Sequence, residues 1–361
     1  MIINLKDFMY CAALTAFTLG ATSCSNDEET STDKTPREIE VKVGINQNNM
    51  SRAGITAKSF TNGESIGLYV YKGTGIDNVV ENTYPQQGKH RLKNAHYKKN
   101  GGLWSTGTPG TGVILSDEIG IAYAYYPYAA TNNDVEGTLI PIKVHASQGT
   151  GLSDGTKNVA QQSDYMWATP VPKMSNATTT ATFTMNHALA MVSFKFAKGD
   201  YPGAAVINSI KLQNKASKGN IKSGDATMNI GTGALTIPGE AAKNGITITP
   251  GEELCTGSKV ARMLVFPVST TMTAGDVEAQ ITMDGKTYTI PLPAPEKANT
   301  YVAGKNYQYT FTLTGKGFGG IKPGDDSWKN DVLVEIVSWE DIDGGNSNVE
   351  TPDDIPVHSG D

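Results

Sequence analysis

The chain is poor in the residues that usually carry chemistry. Its 361 residues include 3 Cys and 5 His, and the histidines show no H-E-x-x-H pair of the zinc-binding kind. Acids outnumber bases, 36 to 30, for a net charge of −6. A nucleic-acid-binding face needs the opposite balance, so that class is set aside. Charged residues make up 18%, against about 25% in a typical globular chain, which argues against a disordered polyelectrolyte. Past the N-terminal segment no run of about 20 apolar residues occurs, and none is expected to span a bilayer. No amphipathic pattern lasts for three helical turns. What is abundant is Thr (40), Gly (39) and Tyr (15), a mixture that favours short strands joined by turns.

The first residues are expected to be an export signal rather than fold. Lys6 and Asp7 precede an apolar run from Phe8 to Ala21, which ends in Ala21-Thr22-Ser23-Cys24. It is short for a membrane span and has the form of a signal h-region. Small residues before a cysteine suit a peptidase that cuts at a lipid-modified Cys24, and Ser25-Asn26-Asp27-Glu28-Glu29 follows as an acidic stretch. Residues 1–23 are therefore read as a lipoprotein signal peptide and 24–36 as an acidic tether. Cys11 leaves with the signal and Cys24 carries lipid, so Cys255 stays alone as a structural thiol. No internal disulfide forms, and the core must stabilise the exported body by itself.

Glu38-Ile39-Glu40-Val41-Lys42-Val43-Gly44-Ile45 alternates with a period of two, which predicts a strand burying Ile39, Val41, Val43 and Ile45. Similar patterns recur from Ile66 to Tyr71, Ile121 to Tyr126, Ile140 to Val144 and Ala190 to Phe196. Turn residues crowd Lys198-Gly199-Asp200-Tyr201-Pro202-Gly203, where a domain boundary is expected. Beyond it, Asp284-Gly285 sits between alternating runs and predicts a type I′ hairpin. Tyr307 to Leu313 and Val332 to Trp339 complete the set. The reading is an all-β fold of two tandem β-sandwich domains with Greek-key or transthyretin-like character. The N-terminal domain covers 37–200 and the C-terminal domain 201–340. An acidic tail, 341–361, follows Glu340; from that residue on there are seven carboxylates and no Lys or Arg.

Several motifs invite a catalytic reading and fail on context. Gly63-Glu64-Ser65-Ile66-Gly67 fits G-x-S-x-G, but a nucleophile elbow needs a strand before the serine, and here one begins after it. Gly107 to Gly112 lacks the Lys of a phosphate loop. Asp341 to Asn346 lacks the Gly and the final Glu of a calcium loop. His187 between apolar residues reads as a structural histidine, and the basic loop Lys89 to Lys99 as a solvated one. No catalytic, cofactor or metal site is expected.

The order of several fragments says more. A leader ending at Cys24 precedes the Ile39–Ile45 strand and a polar loop with Ser51-Arg52-Ala53-Gly54. Then come Phe60, Gly63 to Tyr69, Trp104, Ala122 to Tyr128, Asp164-Tyr165-Met166, Phe183, His187 and Ala190. Ala303 to Tyr309 and a closing Val334, Ile336 and Trp339 end the series. Together they resemble the fimbrillin-like family, major-subunit pilins of the strand-exchange type in anaerobic Gram-negative bacteria. The resemblance implies a non-enzymatic fimbrial subunit that supports adhesion. It would reach the cell surface as an outer-membrane lipoprotein, acylated at Cys24, and enter the fimbrium after processing. An Arg-specific protease would cut between Arg52 and Ala53 and free the strand carrying Ile39, Val41, Val43 and Ile45. A strand from another subunit, of the same or a related chain, would take its place. Val332, Val334 and Ile336 mark this chain's candidate donor strand. A host protein or glycan is the further partner that adhesion implies. The rival expectation is a monomeric glycan-binding surface lipoprotein that uses Trp104, Tyr97 or Trp167.

Overall fold

The computed structural model describes residues 35–46, 60–73, 94–106, 112–135, 137–149, 162–216, 218, 220–238, 245–253, 258–295, 299–315, 317–318 and 332–337. Among them are 23 strands, a 3₁₀ turn at Ala130–Asp134 and no α-helix. In chain order the strands are β1 (Arg37–Glu38), β2 (Glu40–Ile45), β3 (Ser65–Lys72), β4 (Ala95–Asn100), β5 (Leu103–Thr106), β6 (Ile114–Leu115), β7 (Gly120–Tyr126) and β8 (Leu139–Val144). There follow β9 (Met166–Ala168), β10 (Val171–Met174), β11 (Thr180–His187), β12 (Ala190–Lys198), β13 (Val206–Asn214), β14 (Gly224–Asn229), β15 (Leu235–Thr236) and β16 (Ile246–Ile248). The last are β17 (Glu252–Glu253), β18 (Ser258–Val265), β19 (Val277–Met283), β20 (Lys286–Pro291), β21 (Asn306–Thr314), β22 (Gly317–Phe318) and β23 (Val332–Val337).

An eight-stranded sheet runs β10-β7-β3-β4-β5-β2-β11-β9, and a further β7–β9 pairing closes seven of these strands into a ring, with β10 also paired to β7. Closure removes two edges that would otherwise expose unpaired backbone. The second half is built from β18-β12-β21 with β22 and β23 on the far side of β21, and from β16-β13-β19-β20. Phe194, Phe196, Tyr309 and Phe311 of the first of these sheets share one core with Ile207, Leu212, Ala279 and Ile281 of the second. A three-stranded sheet, β15-β14-β8, completes this half.

Strands β3 and β7 connect the halves because both of their faces are buried. Ile66, Leu68, Val70, Ala122 and Ala124 point into the core of the ring. Tyr69, Tyr71, Tyr123 and Tyr125 point into the larger core. A short, continuous apolar run is what such a position requires.

The turn-rich stretch after Lys198 marks a link between strands, and the sheets do not divide there. β12 lies before residue 200, yet it pairs with β18 and β21, and β8 pairs with β14. Long-range pairing, which Gly and Pro cannot report, decides the grouping. The Asp284-Gly285 hairpin forms as expected, with φ of 46° and 72° between β19 and β20.

Candidate functional site

The segment 35–46 threads through the smaller core, and its fastening is uneven. β1 pairs with β6 through Arg37↔Leu115 and Glu38↔Ile114. The Ile39 N–H donates to Val113 O at 2.9 Å, and the Glu40 N–H to Thr179 O at 2.9 Å. Asn176 Nδ2 donates to Thr35 O at 3.1 Å. β2 then runs parallel to β11 in unbroken register from Thr180↔Glu40 to Met185↔Ile45. On its other side β2 meets β5 at one pair only, Val41↔Trp104. The far end closes with the Asn46 N–H on Met185 O at 2.8 Å and Asn46 Nδ2 on Asn186 Oδ1 at 2.6 Å.

Side chains follow the predicted alternation. Ile39 and Val41 are each 4% exposed, while Val43 and Ile45 are half-buried against the same core. β11 faces them with Ala181, Phe183 and Met185, and turns Thr180, Thr182 and Thr184 outward. Thr180 Oγ1 donates to Glu40 Oε2 at 2.7 Å, and Lys42 Nζ lies 3.1 Å from Glu40 Oε1. The Thr180 bond, then Lys42, holds the Glu40 carboxyl below its usual pKa. Burying Ile39 and Val41 is worth about 3–6 kcal/mol together, and the half-buried pair adds roughly half as much. That is comparable with a whole domain's stability of about 5–15 kcal/mol. Without the segment, Phe183, Trp104 and Tyr97, all buried core residues, would line an apolar groove.

The other marked residues that are described are packed or hydrogen-bonded within the fold. Ser65 opens β3, and its hydroxyl donates back to Gly63 O at 3.4 Å. Gly67 is demanded by packing, because a Cβ there would lie 2.0 Å from the Tyr125 ring. Nδ1 of His187 lies 3.1 and 2.9 Å from the carboxylate oxygens of Asp164, and both residues are buried. Among the described residues no group of three or more His, Cys, Asp or Glu could hold a metal ion, and no helix is long and apolar enough to cross a membrane. Two of the aromatics named for glycan binding are core residues. Tyr97 is 1% exposed with its hydroxyl on the Val113 N–H, and Trp104 is 8% exposed and edge-on to Phe60. Trp167 is partly buried against the larger core. Cys24, Arg52, Ala53, Cys255 and the acidic tail lie outside the described residues.

The candidate donor, β23, is an outer strand of its own sheet. It pairs antiparallel with β21 from Asn306↔Val337 to Phe311↔Val332. Val334 and Ile336 are partly buried and Glu335 is exposed. Sequence reasoning missed the β4–β5 hairpin that carries Trp104. Gly101-Gly102 between two polar strands was the signal for it.

The comparisons with known proteins agree with this architecture. A family model described as fimbrillin-like matches residues 51–332. A solved structure from Bacteroides ovatus, described as a candidate cell adhesion protein, is similar at a TM-score of 0.55 and 19% identity, covering 85% of this chain and 98% of that one. A second, from Bacteroides uniformis and described likewise, has a TM-score of 0.53 and 18% identity, with coverage of 84% and 99%. No curated protein matches the sequence.

Proposed function

Because the chain belongs to the fimbrillin-like family, we propose that it is a structural subunit of a surface fimbria that assembles by strand exchange and supports adhesion. In this reading the precursor is exported as a lipoprotein through Cys24. Cleavage after Arg52 frees the segment that contains β2. A strand from another subunit then fills the groove, and β23 is this chain's own candidate for that role.

One observation carries the proposal. β2 contributes the two buried side chains Ile39 and Val41, yet it is paired along its length on one side only. Such a strand is needed by the core and is still removable, since withdrawing it breaks one continuous ladder rather than two. While the chain is uncut, its tether keeps the effective concentration of β2 high and excludes competitors. The burial of Tyr97 and Trp104 counts against the monomeric glycan-binding alternative. Sparing trypsin treatment of the purified chain, followed by electrophoresis in mild SDS, tests the reading. A ladder of oligomers is expected from the wild type and none from Arg52→Ala. Wild-type protein that is clipped at Arg52, stays monomeric and retains residues 39–45 would overturn it.

A further inference from the structure

We infer that the groove takes β23 of a second copy in one register, with Val332, Val334 and Ile336 at the positions now held by Ile39, Val41 and Val43. This rests on the strand-exchange reading above and adds the alignment.

Side chains alternate along a strand, so a one-residue slip would turn the apolar set of β23 outward and is excluded. Slips of two residues keep the faces and must be decided by depth. The groove is deepest at positions 39 and 41, where the present side chains are each 4% exposed, and shallower at 43 and 45. β23 offers an apolar inward set of limited length: Val332, Val334 and Ile336, preceded by Asn330 and followed by Ser338. Placing Val332 at 39 fills both deep positions and one shallow one, and leaves Ser338 the shallow end. Sliding two residues one way puts Asn330 in the deepest position. Sliding the other way puts Ser338 at 43 and Glu340 at 45.

That last register has one attraction, since it would set Glu335 beside Thr180 as Glu40 is now. The favoured register sets Glu335 beside Thr182 instead, the partner of Lys42 in the present ladder. Thr182 is an exposed threonine on the same face of β11 as Thr180, so a hydroxyl is available to the carboxylate in both cases. The acid therefore does not discriminate, and the apolar filling decides. The outward position 44 sets no limit, because a Cβ on Gly44 would meet nothing within 4 Å.

Cysteine pairs read the register directly, in full-length chains whose native cysteines are replaced by serine. Lys42→Cys with Thr182→Cys should close a disulfide within the uncut chain, which shows that this pair can be bridged. A donor carrying Glu335→Cys is then mixed with clipped acceptors carrying either Thr182→Cys or Thr180→Cys. At least tenfold more cross-linked dimer with Thr182→Cys is expected. A preference for Thr180→Cys, or equal yields, overturns the register and leaves strand exchange standing. Oligomers that cross-link with neither acceptor also overturn the register, since β23 then lies in another alignment or direction, or another segment fills the groove. Clipped chains that form no oligomers, while the intramolecular control closes, remove the strand-exchange reading and this inference with it.

Discussion

Parallel pairing occurs between β2 and β11 and between β12 and β21, and the two pairs differ in what lies beyond them. β12 is matched to β21 from Met191↔Asn306 to Lys198↔Leu313 and to β18 from Ala190↔Val265 to Ala197↔Ser258. Its residues Ala190 to Phe194 are all buried. β2 has a continuous ladder with β11 and a single pair with β5, and its exposed residues alternate with buried or half-buried ones. Equal backbone chemistry thus gives a strand laddered on both sides in one place and on one side in the other. The second ladder and the second buried face make the difference.

The largest effect should come from the pair laddered on both sides. Phe194 is fully buried, with its ring 6.0 Å from those of Tyr309 and Phe311. Phe194→Ala should lower stability by about 3–5 kcal/mol, read as a shifted denaturant midpoint. A smaller loss is expected at the pair laddered on one side, where Ile39→Ala should cost about 2–4 kcal/mol. That variant should also release β2, seen as faster amide exchange along β11 with β12 unchanged. If both strands lose protection together, the two cores unfold as one and the comparison breaks.

Two carboxylates sharpen it by pH. Burial raises the Asp284 carboxyl, but the Val206 and Ala205 N–H groups and the Tyr201 hydroxyl outweigh it, so its pKa is lowered in the fold. A lowered folded pKa gives stability that is present at neutral pH. It is lost as pH falls below about 4, the usual range for Asp, and through the folded value. Asp284→Asn should flatten that part of the acid-unfolding curve. Glu40 is lowered too, by Thr180 first and Lys42 second, but it is exposed, so the smallest effect is expected there. Glu40→Gln should slightly weaken protection of β2 near neutral pH and leave it unchanged on acidification. Wild-type protection, by contrast, should decline below about pH 4.5.

Local pattern carried much of this into the sequence. The alternation of Ile39 to Ile45 and the Asp284-Gly285 turn depend on near neighbours or on a simple period. Pairings between distant segments were not legible. Nothing in Glu40–Ile45 announces that its partner is Thr180–Met185, or that the partnership is parallel. The β7–β9 closure depends on a strand of only three residues, Met166–Ala168. Tyr97 and Trp104 looked available to a ligand because Tyr97 stands in a basic stretch and the hairpin that carries both was not legible, and their contacts with Phe60 and Val113 bury them. The candidate donor strand was visible as an apolar alternation, but its place beside β21 was not.

On the strand-exchange reading, the closed sheet has a mechanical consequence, that of a cask with one removable stave. β5 is tied to β4 from Tyr97↔Thr106 to Asn100↔Leu103, and β11 is tied to β9, which is itself tied to β7. Withdrawing β2 therefore leaves both walls of the slot anchored to the rest of the ring. In the strand-exchange reading, these ties would hold the opening at its width, with its row of backbone partners in place, against collapse or fraying. A strand that enters finds a preshaped host, so the loss of conformational freedom falls almost entirely on the newcomer, and rigidity of this kind favours tight association.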